Sequence, residues 1–139
     1  MLERTLVIVK PDGVRRGLVG EVLRRLERAG LRIVGLKMLH LSRPLAESLY
    51  AQHRGKEFFE PLIEFMTSGP IVAICIEGDN AVSRVRALIG PTNPAEAPKG
   101  TIRGDFGSNV RENVVHAADS LQHAQREIAL LFREEELIS

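Results

Sequence analysis

His116 closes a short β-branched run, Asn113-Val-Val-His116, and Glu127 follows on the shoulder of a helix-like apolar stripe. An imidazole at a strand end with a carboxylate in reach can act as a nucleophile or a proton carrier. On a helical wheel Glu127 falls near Ser120, Ala124 and Leu131. A carboxylate there needs a partner, because burying a lone charge is costly. Pairing with His116 would fix the ring and favour its cationic form. The alternative is a surface glutamate whose stem merely covers apolar neighbours.

The stretch 90–108, rich in Pro and Gly, is the second place that invites chemistry. A structureless loop of this length inside a domain is usually functional or disordered. Ile102 and Phe106 are apolar anchors that argue for order, and Thr92 and Arg103 could donate to a phosphate. Arg86, on the helix before, could add a second guanidinium; each of these is otherwise a solvated surface residue. Arg103-Gly-Asp105 also matches a three-residue adhesion motif, which we read as chance. Gly13-Val-Arg-Arg-Gly17-Leu-Val-Gly20 does not have phosphate-loop spacing, so phosphates would have to be cradled by side chains.

Three other histidines are present. His40 in a strand and His123 on the last helix read as structural or exposed. They lack Cys, Asp or Glu at ligand spacing, so no protein-built metal site is expected. His53 follows Tyr50 in a polar stretch that leads to Phe58-Phe59. Adjacent phenylalanines are usually core, but one could offer its face to a flat ring.

The elements that must position these residues follow from periodicity. Strands are expected at 6–9, 31–41, 71–76 and 113–116, helices at 18–29, 44–50, 60–66, 80–89 and, capped by Asp119 or Ser120, over the last apolar stripe. Pro11-Asp-Gly13 reads as a turn. Stripped of extra helices, the order is a split βαβ pattern. This predicts an α+β, ferredoxin-like sandwich: a four-stranded antiparallel sheet with helices packed on it, in one domain spanning 1–139. Strands 6–9 and 71–76 are apolar on both faces. Both faces need cover, from extra segments or from another subunit, so a homo-oligomer is expected.

Composition narrows the class. Net charge +1 gives no general pull toward nucleic acid, and 4% aromatics suit a base-stacking sheet poorly, so nucleic acid is not expected as the primary ligand. No apolar stretch approaches the ~20 residues that cross a bilayer. The N-terminus has no signal-peptide layout, and the lone Cys75 sits in an apolar run. A cytoplasmic protein with an inert buried thiol is the expectation.

Taken together, Val9-Lys-Pro-Asp-Gly-Val-Arg-Arg-Gly-Leu-Val-Gly-Glu21, Thr67-Ser-Gly-Pro70, Thr92-Asn-Pro94, Gly100-Thr-Ile-Arg-Gly-Asp-Phe106 and Asn113-Val-Val-His116 resemble the nucleoside diphosphate kinase family. The resemblance runs from Arg4 to about Leu137. It implies ping-pong transfer of the γ-phosphate of ATP or another nucleoside triphosphate to a nucleoside diphosphate, through Nδ1 of His116. It implies that Phe58 stacks on the base, that Lys10 and Asn113 reach the ribose, and that Arg86, Thr92 and Arg103 bind phosphates. His53 is an extra contact, while Tyr50 and Glu127 surround and orient the histidine. Mg²⁺ would be held mainly by the nucleotide, and the assembly would be a tetramer or hexamer. The chain departs from the family at Ala118, where serine is usual and is thought to bond the glutamate, and at Pro98-Lys99, where proline usually precedes the glycine directly. It also ends soon after Leu137, without the tail of longer members.

Overall fold

The central strands form where β-branched runs are densest. The computed structural model describes residues 1–139. Its elements are β1 (Leu2–Val9), α1 (Pro11–Arg15), α2 (Val19–Arg28), β2 (Arg32–Leu39), α3 (Arg43–Leu49), α4 (Phe59–Met66), β3 (Ile71–Asp79), α5 (Ala81–Ile89), α6 (Ile102–Phe106), β4 (Val115–Ala117) and α7 (Leu121–Leu131). The strands lie in the order β2-β3-β1-β4, every neighbour antiparallel. With α2 and α5 as crossovers, this is the ferredoxin-like α+β sandwich the pattern predicts.

The two faces of the sheet carry separate cores. Leu6, Ile8, Ala73 and Cys75 face α3, α4 and α7 and pack with Leu49, Ile63, Met66 and Leu131. Val7, Val9, Val72, Ile74 and Ile76 face the other way and pack with Leu26, Val85, Ile89 and Ile102. Each fully buried large aliphatic contributes about 1.5–3 kcal/mol. Both faces of the central strands are therefore covered by this chain's own helices. Burial pushes the Cys75 thiol up to about 11, which keeps it protonated and unreactive. No helix is long and apolar enough to cross a membrane.

Four local expectations change. β1 starts at Leu2, because pairing from Leu2↔Asp79 to Thr5↔Ile76 draws in residues whose own pattern is weak. The Pro11 turn is the short helix α1, with proline at its favoured first position. The 90–108 loop contains a 3-10 turn at Pro94–Glu96 and then α6, whose first turn is capped by Thr101 Oγ1 accepting from Gly104 N–H at 3.0 Å. β4 covers 115–117 because Val114, at φ 75°, breaks the strand before it. Ser120 Oγ caps α7 by accepting from His123 N–H at 3.1 Å.

Candidate active site

His116 pairs with Ile8 of β1, and its neighbours Val115 and Ala117 turn into the α5 side of the sheet. Strand alternation thus points His116 to the opposite face, where α7 runs. Glu127 on α7 is only 2% exposed and accepts from His116 Nε2–H at 2.7 Å. A carboxylate accepts, so the ring proton sits on Nε2 and the Nδ1 lone pair is left free. Nδ1 faces Tyr50, whose hydroxyl is 3.5 Å away and whose ring stands edge-on at 5.4 Å between centroids. Burial, and then the charge of Glu127, raise the Tyr50 hydroxyl above its usual range, so it stays a neutral donor.

A cavity of about 450 Å³ opens in front of this ring. Lys10, Tyr50, His53, Phe58, Arg86, Thr92, Arg103, Asn113, His116 and Glu127 all line it. They come from the β1–α1 junction, the α3–α4 connection, α5, the 90–114 segment, β4 and α7. Hydrogen bonds between loops close the cavity. Lys10 Nζ donates to Asn113 Oδ1 at 2.9 Å and to Arg111 O at 2.8 Å. Asn113 Nδ2 in turn donates to Thr92 O and Val110 O, which ties the two rims together.

The cavity is electropositive on its phosphate-sized side. Arg103 is 5% exposed and donates from its two terminal nitrogens to Gly90 O at 3.0 Å and Val115 O at 2.8 Å. Its Nε has no partner. Burial, then Arg86, pull Arg103 down to about 10. Burial, then Arg103, pull Lys10 down to about 8, against the opposing charge of Asp12. Arg86 comes off the last turn of α5 and reaches Ala117 O at 3.4 Å. Lys10 and Arg103 are both held down by burial and by neighbouring cations, which an anion in the cavity would offset.

An exposed aromatic ring stands at the mouth. Phe58 is exposed while Phe59 is buried in the core, which separates the adjacent pair by role. The His53 ring lies 5.1 Å from Phe58 between centroids, and Lys56 Nζ sits 5.6 Å over the Phe58 face. Burial, then Lys56 and His116, lower His53 from its ordinary value. Gln52, Val110, Arg111 and Asp119 also line the cavity and had not been singled out. Val110 carried a signal: an apolar residue inside the polar run Ser108 to Asn113, and it is exposed. His40 lies just past β2 and bonds Thr67 O, and His123 pairs with Asp119; neither reaches the cavity. No three His, Cys, Asp or Glu side chains converge as a metal site.

The arrangement suits a ligand with a flat ring at one end and phosphates at the other, with a nucleophilic nitrogen beside the phosphates. Comparison with known proteins points the same way. The family model described as nucleoside diphosphate kinase matches residues 3–137. A nucleoside diphosphate kinase of Archaeoglobus fulgidus is 60% identical over 138 residues, 99% of this chain and 91% of that protein. One from Staphylothermus marinus is 60% identical over 136 residues, 98% of this chain and 96% of that protein. Among solved structures, a halophilic nucleoside diphosphate kinase from Halobacterium salinarum in complex with CDP superposes with TM-score 0.97 at 45% identity, covering 100% of this chain and 93% of that one. The Aquifex aeolicus enzyme gives TM-score 0.97 at 43% identity, covering 99% and 100%. With sequence and fold both matched from end to end, the chain belongs to the nucleoside diphosphate kinase family.

Proposed function

We propose that this nucleoside diphosphate kinase works by a ping-pong mechanism through Nδ1 of His116. The observation that carries the reading is the 2.7 Å bond from His116 Nε2 to Glu127, which leaves Nδ1 free toward the cavity. The Nδ1 lone pair attacks the γ-phosphorus of a nucleoside triphosphate. The bond from that phosphorus to the β–γ bridging oxygen breaks, and a nucleoside diphosphate leaves. Nε2 keeps its proton, so the phosphorylated ring carries positive charge, and the Glu127 carboxylate stabilises it. A terminal oxygen of the next nucleoside diphosphate then takes the phosphoryl group and restores the lone pair. Positioning and charge stabilisation do most of the work in such transfers.

The remaining roles follow from chemistry at the cavity wall. Arg86, Thr92 and Arg103 hold phosphate oxygens, Lys10 and Asn113 hold the ribose, and Phe58 stacks on the base, with His53 beside it. Tyr50 donates toward Nδ1 or the phosphate that replaces its lone pair. These contacts ignore base identity, and the CDP bound to the Halobacterium relative fits a site of this breadth. The kinase reaction of this family uses a divalent metal. The cavity wall carries Lys10, Arg86 and Arg103, which suits phosphates and an ion that arrives with the nucleotide. Mg²⁺, held by the nucleotide phosphates, would neutralise their charge as it develops.

The chain acts as one domain, since both cores share one sheet. A tetramer or hexamer is the proposed assembly. Its support is the β2 edge, where Leu36 and Met38 are 50% and 61% exposed on one face of an edge strand. A cytoplasmic site of action suits nucleotide substrates and a free cysteine.

The test is to incubate the protein with γ-labelled ATP and Mg²⁺, remove nucleotide and follow the label. The expected product is an acid-labile, alkali-stable phosphoprotein that discharges onto GDP. An unlabelled wild type, or a fully labelled His116→Ala variant, would overturn the mechanism.

A further inference from the structure

Val114 is fully buried, β-branched and left-handed at φ 75°. That conformation is an outlier for such a residue. Its turn is closed by Val115 N–H donating to Asn113 O at 2.9 Å. Three-residue turns of this hand are rare and strained, and persist only where the surroundings hold them. Here the surroundings are residues 10–13. Asp12, on α1, accepts the Val114 N–H on Oδ2 at 3.0 Å, and Lys10 N–H donates to Val114 O at 2.8 Å. Both peptide groups of the strained residue are thus held by one short segment. Gly13 lets that segment approach: a Cβ there would lie 2.8 Å from Val9 Cγ1 and 3.0 Å from Val114 O.

We infer that Asp12 is a positioning residue for phosphoryl transfer: it clamps the Val114 turn and so keeps Asn113 and His116 on the cavity side. The inference rests on the His116 mechanism above. Asp12 is itself 3% exposed and is absent from the cavity wall, so it acts through the turn. The turn sets strand register. Asn113 precedes it and meets Lys10 Nζ; Val115 and His116 follow and pair with Val9 and Ile8. If Val114 relaxed to an extended conformation, the chain after it would shift. A slip of one residue sends every side chain of a strand to the other face. The strand is only three residues long, so the clamp at its entry acts together with few other register contacts, chiefly Ala118 N–H to Leu6 O and Arg103 to Val115 O. The other Asp12 oxygen, Oδ1, is buried without a partner. A polar atom left in that position is what a residue retained for its second oxygen would show.

Two substitutions separate clamping from simple burial. Asp12→Asn keeps an oxygen that can accept the Val114 N–H, whereas Asp12→Ala keeps none. The readouts are the single-turnover rate of His116 phosphorylation, kcat and KM, alongside thermal unfolding. We expect Asp12→Ala to slow phosphorylation at least tenfold in protein that still melts cooperatively, and Asp12→Asn to stay within threefold of wild type. A second pair guards against a fold effect. Glycine adopts φ 75° freely, so Asp12→Ala should cost at least threefold less in a Val114→Gly background than in wild type. Equal rates for wild type and Asp12→Ala, equal losses in Asp12→Ala and Asp12→Asn, or an equal cost in both backgrounds would overturn the inference. A wild type that labels at His116 leaves the mechanism standing whichever of these results appears.

Discussion

The two edges of the sheet are built in opposite ways. The β4 edge is three residues long, and its backbone groups are taken up by side chains and loops: Arg103 donates to Val115 O and Arg86 to Ala117 O. The β2 edge is eight residues long. Its start is covered by the C-terminal segment, with Ile138 N–H donating to Val34 O. Beyond a register shift between Ile33 and Gly35 the strand is open, and Leu36 and Met38 project into solvent. Edge strands offer unpaired peptide groups to any other chain. At β4 that offer is withdrawn, and one side chain, His116, is presented in its place. At β2 the offer stands. On the function and assembly proposed above, chemistry would occupy the closed edge and association the open one.

The largest effect should come from reopening the closed edge. Arg103→Met removes the donors to Gly90 O and Val115 O and one cation of the phosphate wall. Losing a charge-stabilising donor of this kind lowers kcat by about 10²–10³-fold. Each lost charged hydrogen bond also costs about 1.5–3 kcal/mol of stability. Steady-state kinetics and thermal melts read the two losses together. A variant with lower stability but normal kcat would make Arg103 a strut for the edge and nothing more.

The same contrast explains what the sequence could say. The strands of the sheet's centre and open edge are apolar runs and the long helices are periodic, so β2, β3 and the helices α2, α5 and α7 were readable from where apolar residues fall. Of the site residues, Phe58, Arg86, Thr92, Arg103, His116 and Glu127 carried type signals, while Lys10, Tyr50, His53 and Asn113 entered through the family resemblance; all ten line one cavity. What holds them there was not readable. α6 has a Gly at its centre and five residues, and forms because Ile102 and Arg103 are buried against other elements. β4 is displaced from 113–116 to 115–117 because Asp12 and Lys10, about a hundred positions earlier, hold Val114 in a turn no local preference favours. Long-range hydrogen bonds of this kind leave no periodic trace.

A medium effect should appear with pH at Lys10, which joins β1 to the entry of β4. Burial, and then Arg103 and Arg111 against the opposing charge of Asp12, depress Lys10 from 10.5 to about 8. It is cationic below that value and neutral above it. KM for the nucleoside diphosphate should therefore rise on the order of tenfold through the alkaline range, the worth of a charged hydrogen bond of about 1.5 kcal/mol. Stability should move the other way. The unfolded chain holds this proton up to its higher pKa, so between the two values the unfolded state binds more protons and Lys10's contribution to stability grows with pH. Binding titrations and melts across that window check both signs. A KM rise that tracks falling stability would mean general alkaline unfolding instead.

Next is the open edge. Leu36→Lys with Met38→Lys places charge on exposed positions and should leave kcat/KM within about twofold, the usual range for surface changes. The mass by light scattering should fall to a smaller species. An unchanged mass with both lysines in place would remove β2 from the interface and leave the comparison with one limb.

The smallest effect belongs to the residue just past β4. Ala118 is 1% exposed, and its N–H donates to Leu6 O at 3.3 Å. Glu127 already holds the His116 ring through Oε1, so ring orientation does not depend on a hydroxyl at position 118. Ala118→Ser adds one polar atom to a packed site. Left unpaired it would cost about 1–3 kcal/mol of stability; bonded to the other Glu127 oxygen it would cost little and steady the carboxylate. Either way the nucleophile is untouched, and the single-turnover rate should stay within about threefold of wild type while the melting temperature reports which bond forms. A severe loss of rate without a loss of stability would mean that the closed edge tolerates no further hydrogen bond, and that the alanine is part of how this chain sets its histidine.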